Sequence, residues 1–184
     1  MTATWASSAD LTSRLKAAIR DVPDFPKPGI IFKDITPLLA DASLFREATE
    51  ALAKPFEREG ITHVVAIESR GFILGAPVAQ ALRAGFVPVR KKGKLPAKTE
   101  VEEYALEYGT DQLEIHSDAC DWLRRPRVLI VDDVLATGGT ADATRRLVER
   151  LGGDVAGFSF LVALGFLPGL ERLRGRTVRA LITY

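Results

Sequence analysis

Apolar positions along the chain switch repeatedly between helical spacing and short continuous runs. Leu11, Leu15, Ala18 and Ile19 recur at helical spacing and predict a first helix that stops near Val22-Pro23. Pro23 to Gly29 is too rich in proline for a regular helix or a central strand. It reads as an ordered arm or hood leading to the apolar Ile30, Ile31 and Phe32. Ser43 is placed to cap a helix carrying Phe45, Ala48, Leu52 and Phe56. Val64 to Ile67, Phe86 to Val89, Val128 to Val131 and Val155 to Leu164 are apolar runs of strand type. Between them, Gly71 to Ala84 (with Pro77 inside) and Thr140 to Leu151 predict helices, the second burying Thr144, Leu147, Val148 and Leu151. Gly152-Gly153 ends that helix. Strand alternating with helix predicts an α/β fold with a mostly parallel central sheet flanked by helices, whose ligands gather at the carboxyl ends of the strands. Lys94 to Gln112 is polar and weakly patterned, the texture of a long loop or lid. The region after Phe166 carries no usable motif.

One strand end concentrates the chemistry. Val128 to Val131 runs into Asp132 and Asp133, followed by Val134-Leu135-Ala136-Thr137-Gly138-Gly139-Thr140 and a predicted helix start. Gly138 and Gly139 leave room for backbone N–H groups to close around an anion, and Thr137 and Thr140 add hydroxyls. The positive end of the helix points at the same spot. Two acids beside a phosphate cradle repel the phosphate, so they need another task. Accepting hydrogen bonds from vicinal hydroxyls, holding a cation, or both would supply one, and a ribose 5-phosphate fits. The plain alternative is an ordinary strand–turn–helix. Neither a Walker A motif nor a G-x-G-x-x-G dinucleotide fingerprint is present. Glu68-Ser69-Arg70-Gly71 follows another strand and could hold a second anion through the Arg70 guanidinium and backbone N–H groups. Arg90, Lys91, Lys92 and Lys94 follow a third, where a solvated charged loop is the competing reading.

Composition narrows the partners. The 184 residues suffice for one domain with a sizeable core. A net charge of +1 gives no bulk electrostatic case for nucleic acid or membrane. No apolar run reaches membrane-spanning length, and no basic-then-apolar leader opens the chain, so a soluble cytoplasmic protein is expected. A single cysteine, Cys120, excludes an internal disulfide and reads as structural. His63 and His116 have no partner at metal-ligand spacing; His63 reads as structural and His116 as exposed.

The segment from Asp132 to Thr140 resembles the phosphoribosyl-pyrophosphate (PRPP) motif of type I phosphoribosyltransferases. Pro23 to Pro37 resembles the N-terminal signature of the adenine phosphoribosyltransferase family, and Glu68-Ser69-Arg70-Gly71-Phe72 its pyrophosphate loop. Arg90 to Pro96 and Tyr104-Ala105-Leu106-Glu107-Tyr108-Gly109 resemble its mobile catalytic loop. Position 68 is Glu where many members carry Asp, so the charge is kept. The resemblance implies a type I phosphoribosyltransferase fold, with residues 1–40 as N-terminal hood and 41–184 as core, and a lid loop near 91–112. It implies conversion of adenine and PRPP to AMP and pyrophosphate in purine salvage, with Mg²⁺ held mainly by substrate and water, in a homodimer. Within it, Asp132, Asp133, Ala136, Thr137, Gly138, Gly139 and Thr140 would bind the ribose and 5-phosphate. Ser69, Arg70, Arg90, Lys91 and Lys94 would bind pyrophosphate. Ile31 and Phe32 would hold adenine, and Glu107, Tyr108 and Arg70 would serve catalysis. The resemblance also implies a cis peptide bond at Glu68-Ser69. Two alternatives stand beside this reading: a PRPP-binding regulator on the same fold, against which the Glu107-Tyr108 lid argues, and a transferase for another base, against which the arm ending in Ile31-Phe32 argues.

Overall fold

The computed structural model describes residues 8–106, 109–121 and 126–184. The chain divides into two compact units, 1–50 and 51–184. In the first, helix α1 (Ser8–Ala18) is followed by strands β1 (Arg20–Pro23) and β2 (Ile31–Asp34), then helices α2 (Thr36–Ala40) and α3 (Ala42–Ala53), which runs into the second unit. The first helix thus ends before Val22, which goes into a strand instead. β1 and β2 pair antiparallel with Arg20 opposite Asp34 and Asp21 opposite Lys33. Opposite charges face each other there, the Lys33 ammonium lying 2.6 Å from Asp21. The proline-rich stretch is the connection between these strands, closed by the Gly29 N–H donating to Asp24 Oδ1 at 2.7 Å. Arg14 grips Glu47 with two guanidinium bonds of 2.8 Å, joining α1 to α3. The cap of α3 is Asp41, not Ser43. Its carboxylate accepts the N–H groups of Ser43 and Leu44 at 2.9 and 3.0 Å, while the Ser43 hydroxyl donates to Glu47.

The second unit is built on a seven-stranded sheet in the order β5-β6-β4-β3-β7-β8-β9. Its strands are β3 (His63–Ile67), β4 (Gly85–Lys91), β5 (Thr99–Leu106), β6 (Gly109–His116), β7 (Arg127–Leu135), β8 (Asp154–Ala163) and β9 (Val178–Thr183). β4, β3, β7, β8 and β9 run parallel, and the β5–β6 hairpin adds two antiparallel strands beside β4. Helices α4 (Arg70–Leu82) and α5 (Gly139–Arg150) follow β3 and β7, and a short helix α6 (Gly169–Arg172) precedes β9.

Alternation along the central strands sorts the core onto two faces. Val65, Ile67, Val128, Ile130, Phe158 and Phe160 form one buried cluster with Ala143, Leu147 and Val148 of α5. On the other face α4 packs so closely that a Cβ on Gly75 would lie 2.5 Å from that of Ala66. There Ser159 donates its hydroxyl to the Leu52 carbonyl at 3.0 Å, and Gly157 leaves room for the Phe56 ring.

Further sequence expectations change. The stretch 94–112, which suggested no element, carries most of a hairpin. Its inward side is apolar, with Leu113 and Ile115 buried and Tyr104 only 7% exposed, but Glu100 and Glu102 share that side and blur the alternation. Glu102 is accommodated because Arg146 and Arg150 of α5 bind it. The C-terminal stretch supplies the edge strand β9. Cys120 is buried, which pushes its thiol up and suits a structural role. His63 is partly buried, which lowers its pKa, and its Nδ1 lies 3.1 Å from the Thr62 hydroxyl. His116 is half-buried rather than exposed.

Candidate active site

The two acids do not lie beyond their strand. β7 continues through Leu135, but only on one side. Its pairing with β3 stops at Val131 opposite Ala66, whereas its pairing with β8 runs on to Leu135 opposite Ala163. Asp132 and Asp133 therefore stand where half of the ladder has ended. The Asp133 N–H donates to Asp132 Oδ1 at 2.9 Å. Asp133 is 5% exposed and accepts a charged hydrogen bond from Arg70 Nε. Burial, and after it the adjoining Asp133 charge, raise the Asp132 carboxyl well above the ordinary carboxylate value. Gly71, in the first turn of α4, admits this carboxylate: a Cβ there would sit 2.7 Å from Asp132 Oδ1. The loops after β3 and β7 thus abut through Arg70, Gly71 and the two acids.

A cavity follows the acids, lined by Asp132, Val134, Leu135, Ala136, Thr137, Gly138, Thr140 and Ala141. Gly138 precedes α5 with φ of 77°, in the left-handed region that favours glycine. The loop lining the cavity has a buttress that sequence reading missed. Gly169, at the start of α6, presses on the loop so tightly that a Cβ would lie 2.3 Å from the Ala136 carbonyl oxygen. Its only signal was a Pro-Gly step in a region without a motif. Thr140 lies in the first turn of α5, and Tyr104 on β5 donates its hydroxyl to Asp111 Oδ2 at 3.3 Å.

The second strand end is assembled from charges. The peptide bond Glu68-Ser69 is cis, as the resemblance implied. The Glu68 side chain is 7% exposed and accepts from Arg90 Nε at 2.6 Å and from the Lys91 N–H at 3.1 Å, with the Lys94 ammonium 3.4 Å away. Burial pushes the Glu68 carboxyl up, but Arg90, the Lys91 N–H and Lys94 together hold it below the ordinary value. Glu114 on β6 is buried and accepts the N–H groups of Lys94 and Leu95 at 2.8 and 2.7 Å. The Lys91 ammonium lies 3.0 Å from Asp111. Glu68, Glu114 and Asp111 hold the basic run in place, and alternation along 109–116 was the signal that could have found the last two. Ser69 precedes α4 without capping it through its side chain.

Of the remaining expected residues, Ile31 and Phe32 lie on β2 in the first unit. Ile31 is 58% exposed, and Phe32 meets Phe25 edge-on at 5.2 Å. Glu107 and Tyr108 lie outside the described residues. No group of three or more His, Cys, Asp or Glu among the described residues is placed to hold a metal. Asp132 and Asp133 are hard oxygen donors of the kind Mg²⁺ takes, and they fit it where further ligands come from substrate and water. No helix among the described residues is long and apolar enough to cross a membrane.

A mostly parallel sheet with two anion-suited loops at neighbouring strand ends suits a phosphoribosyl-group transferase, and the family described as phosphoribosyl transferase domain matches residues 35–165. An adenine phosphoribosyltransferase of Myxococcus xanthus is 59% identical over 174 residues, covering 95% of this chain and 94% of its own. The crystal structure of the adenine phosphoribosyltransferase from Rhodothermus marinus is 55% identical and superposes with a TM-score of 0.88, covering 96% of this chain and 99% of its own. The Saccharomyces cerevisiae enzyme, complexed with an imino-altritol bisphosphate and adenine, is 40% identical with a TM-score of 0.87, covering 94% and 99%. The chain belongs to the adenine phosphoribosyltransferase family.

Proposed function

We propose that the chain transfers the phosphoribosyl group of PRPP to N9 of adenine, giving AMP and pyrophosphate. The observation that carries this reading is the glycine-floored cavity after Asp132-Asp133, abutting the Arg70 loop, in a chain 59% identical to a named adenine phosphoribosyltransferase. The anomeric C–O bond breaks and the C–N9 bond forms, with inversion. Such a centre develops positive charge on the ribose and negative charge on the leaving group. Asp132 and Asp133 accept the ribose hydroxyls and face the positive charge. Ala136 to Thr140 cradle the 5-phosphate. Ser69, Arg70, Arg90, Lys91 and Lys94 receive the pyrophosphate. Mg²⁺, held by Asp132 or Asp133 together with substrate oxygens and water, would supply neutralising charge to the departing pyrophosphate.

Ile31 and Phe32 hold the base: Phe32 stacks on it, and backbone groups near Ile31 read its edge, separating adenine from 6-oxopurines because donor and acceptor exchange places. Glu107 manages the proton at the imidazole ring, and Tyr108 covers the ribose or pyrophosphate. The segment near 91–112 acts as a lid that keeps water from PRPP. We assign the enzyme to purine salvage in the cytoplasm, as a homodimer whose basic loop reaches the neighbouring site.

The test is pyrophosphate release from PRPP and Mg²⁺ with adenine, hypoxanthine, guanine or orotate supplied separately. Release with adenine alone is expected. Release with another base overturns the assignment of the arm, and binding of PRPP without release for any base makes the chain a regulator. Glu107→Ala is expected to lower kcat with little change in thermal stability, and unchanged kcat returns Glu107 to a solvated loop.

A further inference from the structure

Resting on that reading, the assignment of the base to Ile31 and Phe32 leaves out a third residue of the same hairpin. Phe25 lies in the connection between β1 and β2 and is 51% exposed. A large apolar side chain left that far in water gains little for folding, so its place calls for another account. Its ring meets the Phe32 ring with centroids 5.2 Å apart and planes at 74°, the edge-to-face arrangement that aromatic pairs favour. Ile30 and Ile31 are exposed as well, so the apolar side chains of this connection gather around Phe32 rather than around a core.

The backbone fixes where Phe25 stands. Its N–H donates to the Ile30 carbonyl at 3.2 Å, and the Ile30 N–H donates to the Lys27 carbonyl at 3.2 Å. The Gly29 N–H is bound to Asp24, on the other side of Phe25 in the chain. Gly29 itself has φ of 85°, which lets the chain double back here. The loop is thus folded so that residue 25 returns beside residue 30, within reach of the ring on the next strand. Phe32 is half-buried and held in register on β2 opposite Val22, which fixes its backbone but not its ring. Stacking on a flat base requires that ring in one setting of its two torsions. A ring already held by a neighbour loses less freedom when the base arrives, and the saving shows as affinity.

We propose that Phe25 is a positioning residue: it holds the Phe32 ring in the orientation that stacks on adenine, and so sets affinity for the base without touching it.

Steady-state kinetics on the full chain test this, with adenine varied at saturating PRPP and Mg²⁺. Phe25→Leu is expected to raise KM for adenine roughly two- to tenfold, the range of an aromatic pair, with kcat little changed. KM for PRPP, whose assigned residues lie in the second unit, should hold, and the variant should melt with the wild type. Phe25→Tyr keeps the ring and leaves its hydroxyl in water, so it should restore the wild-type KM. Phe32→Leu should also raise KM for adenine, and adding Phe25→Leu to it should cost nothing further, whereas independent effects would multiply. An unchanged KM for adenine in Phe25→Leu, a parallel rise in KM for PRPP, or effects that multiply in the double variant each overturn the proposal while leaving the transferase reading intact. An unchanged KM for adenine in Phe32→Leu removes the stacking assignment and the proposal with it. A wild type that does not turn over PRPP with adenine overturns both the transferase reading and the proposal.

Discussion

The two anion-suited strand ends are built on opposite principles. After β7, the cavity is shaped by backbone and by the absence of side chains: Gly138 at φ of 77°, and Gly169 within 2.3 Å (measured from its missing Cβ) of the Ala136 carbonyl. After β3 and β4, the loop is shaped by charge: Glu68, Glu114 and Asp111 seat Arg90, Lys91 and Lys94. The backbone groups of such a cradle do not titrate, so its response to pH rests on Asp132 at its edge. A charge-built loop can rearrange when an anion competes for its cations, and it weakens on acidification.

The sharpest way to break the comparison is Gly169→Ala. The new methyl meets a backbone carbonyl that cannot yield without moving the loop, so kcat/KM for PRPP should fall about tenfold or more, with about 1–3 kcal/mol lost from folding. Steady-state kinetics and denaturant melts check both, and a neutral result would mean the cradle tolerates displacement. Next in size is Asp133→Asn, which removes the charge partner of Arg70 from a buried position. PRPP affinity or turnover should drop roughly tenfold, the scale of a charged hydrogen bond, and unchanged kinetics would remove the ribose assignment.

Glu68→Gln probes the other end through pH. The Glu68 carboxyl is held below its ordinary 4.5 in the folded chain. Its stabilising contribution is therefore present above that value and is lost as pH falls through the lower, folded one. The stability gap between wild type and Glu68→Gln should be full at neutral pH and shrink below 4.5. Thermal melts across that window decide it, and a gap independent of pH would show that Glu68 acts through shape rather than charge. The smallest effect belongs to Lys92→Ala. Lys92 is exposed in the same basic run, yet none of Glu68, Asp111 and Glu114 receives its ammonium. Stability should stay within about 0.5 kcal/mol and KM for PRPP should hold. A marked rise in KM would mean bulk charge, not seated cations, builds that end.

Legibility followed the same division. The motif ending at Thr140 could be read because it is local: a buried strand from Val128, two acids and a glycine turn all fall within thirteen consecutive residues. The parallel strands β3, β4, β7 and β8 were readable from short apolar runs and α5 from its helical spacing, whereas the parallel edge strand β9 was not. Nor was the hairpin. Glu100 and Glu102 interrupt its inward pattern, and Glu102 is held there by Arg146 and Arg150, which arrive from a helix more than forty residues later. The cap of α3 misled by two positions, since both Asp41 and Ser43 are good caps and only backbone geometry chooses between them.

The sequence by itself determined the fold class, the family and the cavity after β7, because each is carried by contiguous pattern and by residue types that few other structures require. Tertiary structure alone decided what presses on that cavity and what steadies its neighbour. Gly169 against Ala136, Arg70 on Asp133, Glu68 beneath Arg90 and Arg146 on Glu102 join residues far apart in the chain. The physical reason is range. Hydrophobic periodicity and turn chemistry act over a few neighbouring residues, whereas a close approach or an ion pair exists only once the sheet has brought separate strand ends together.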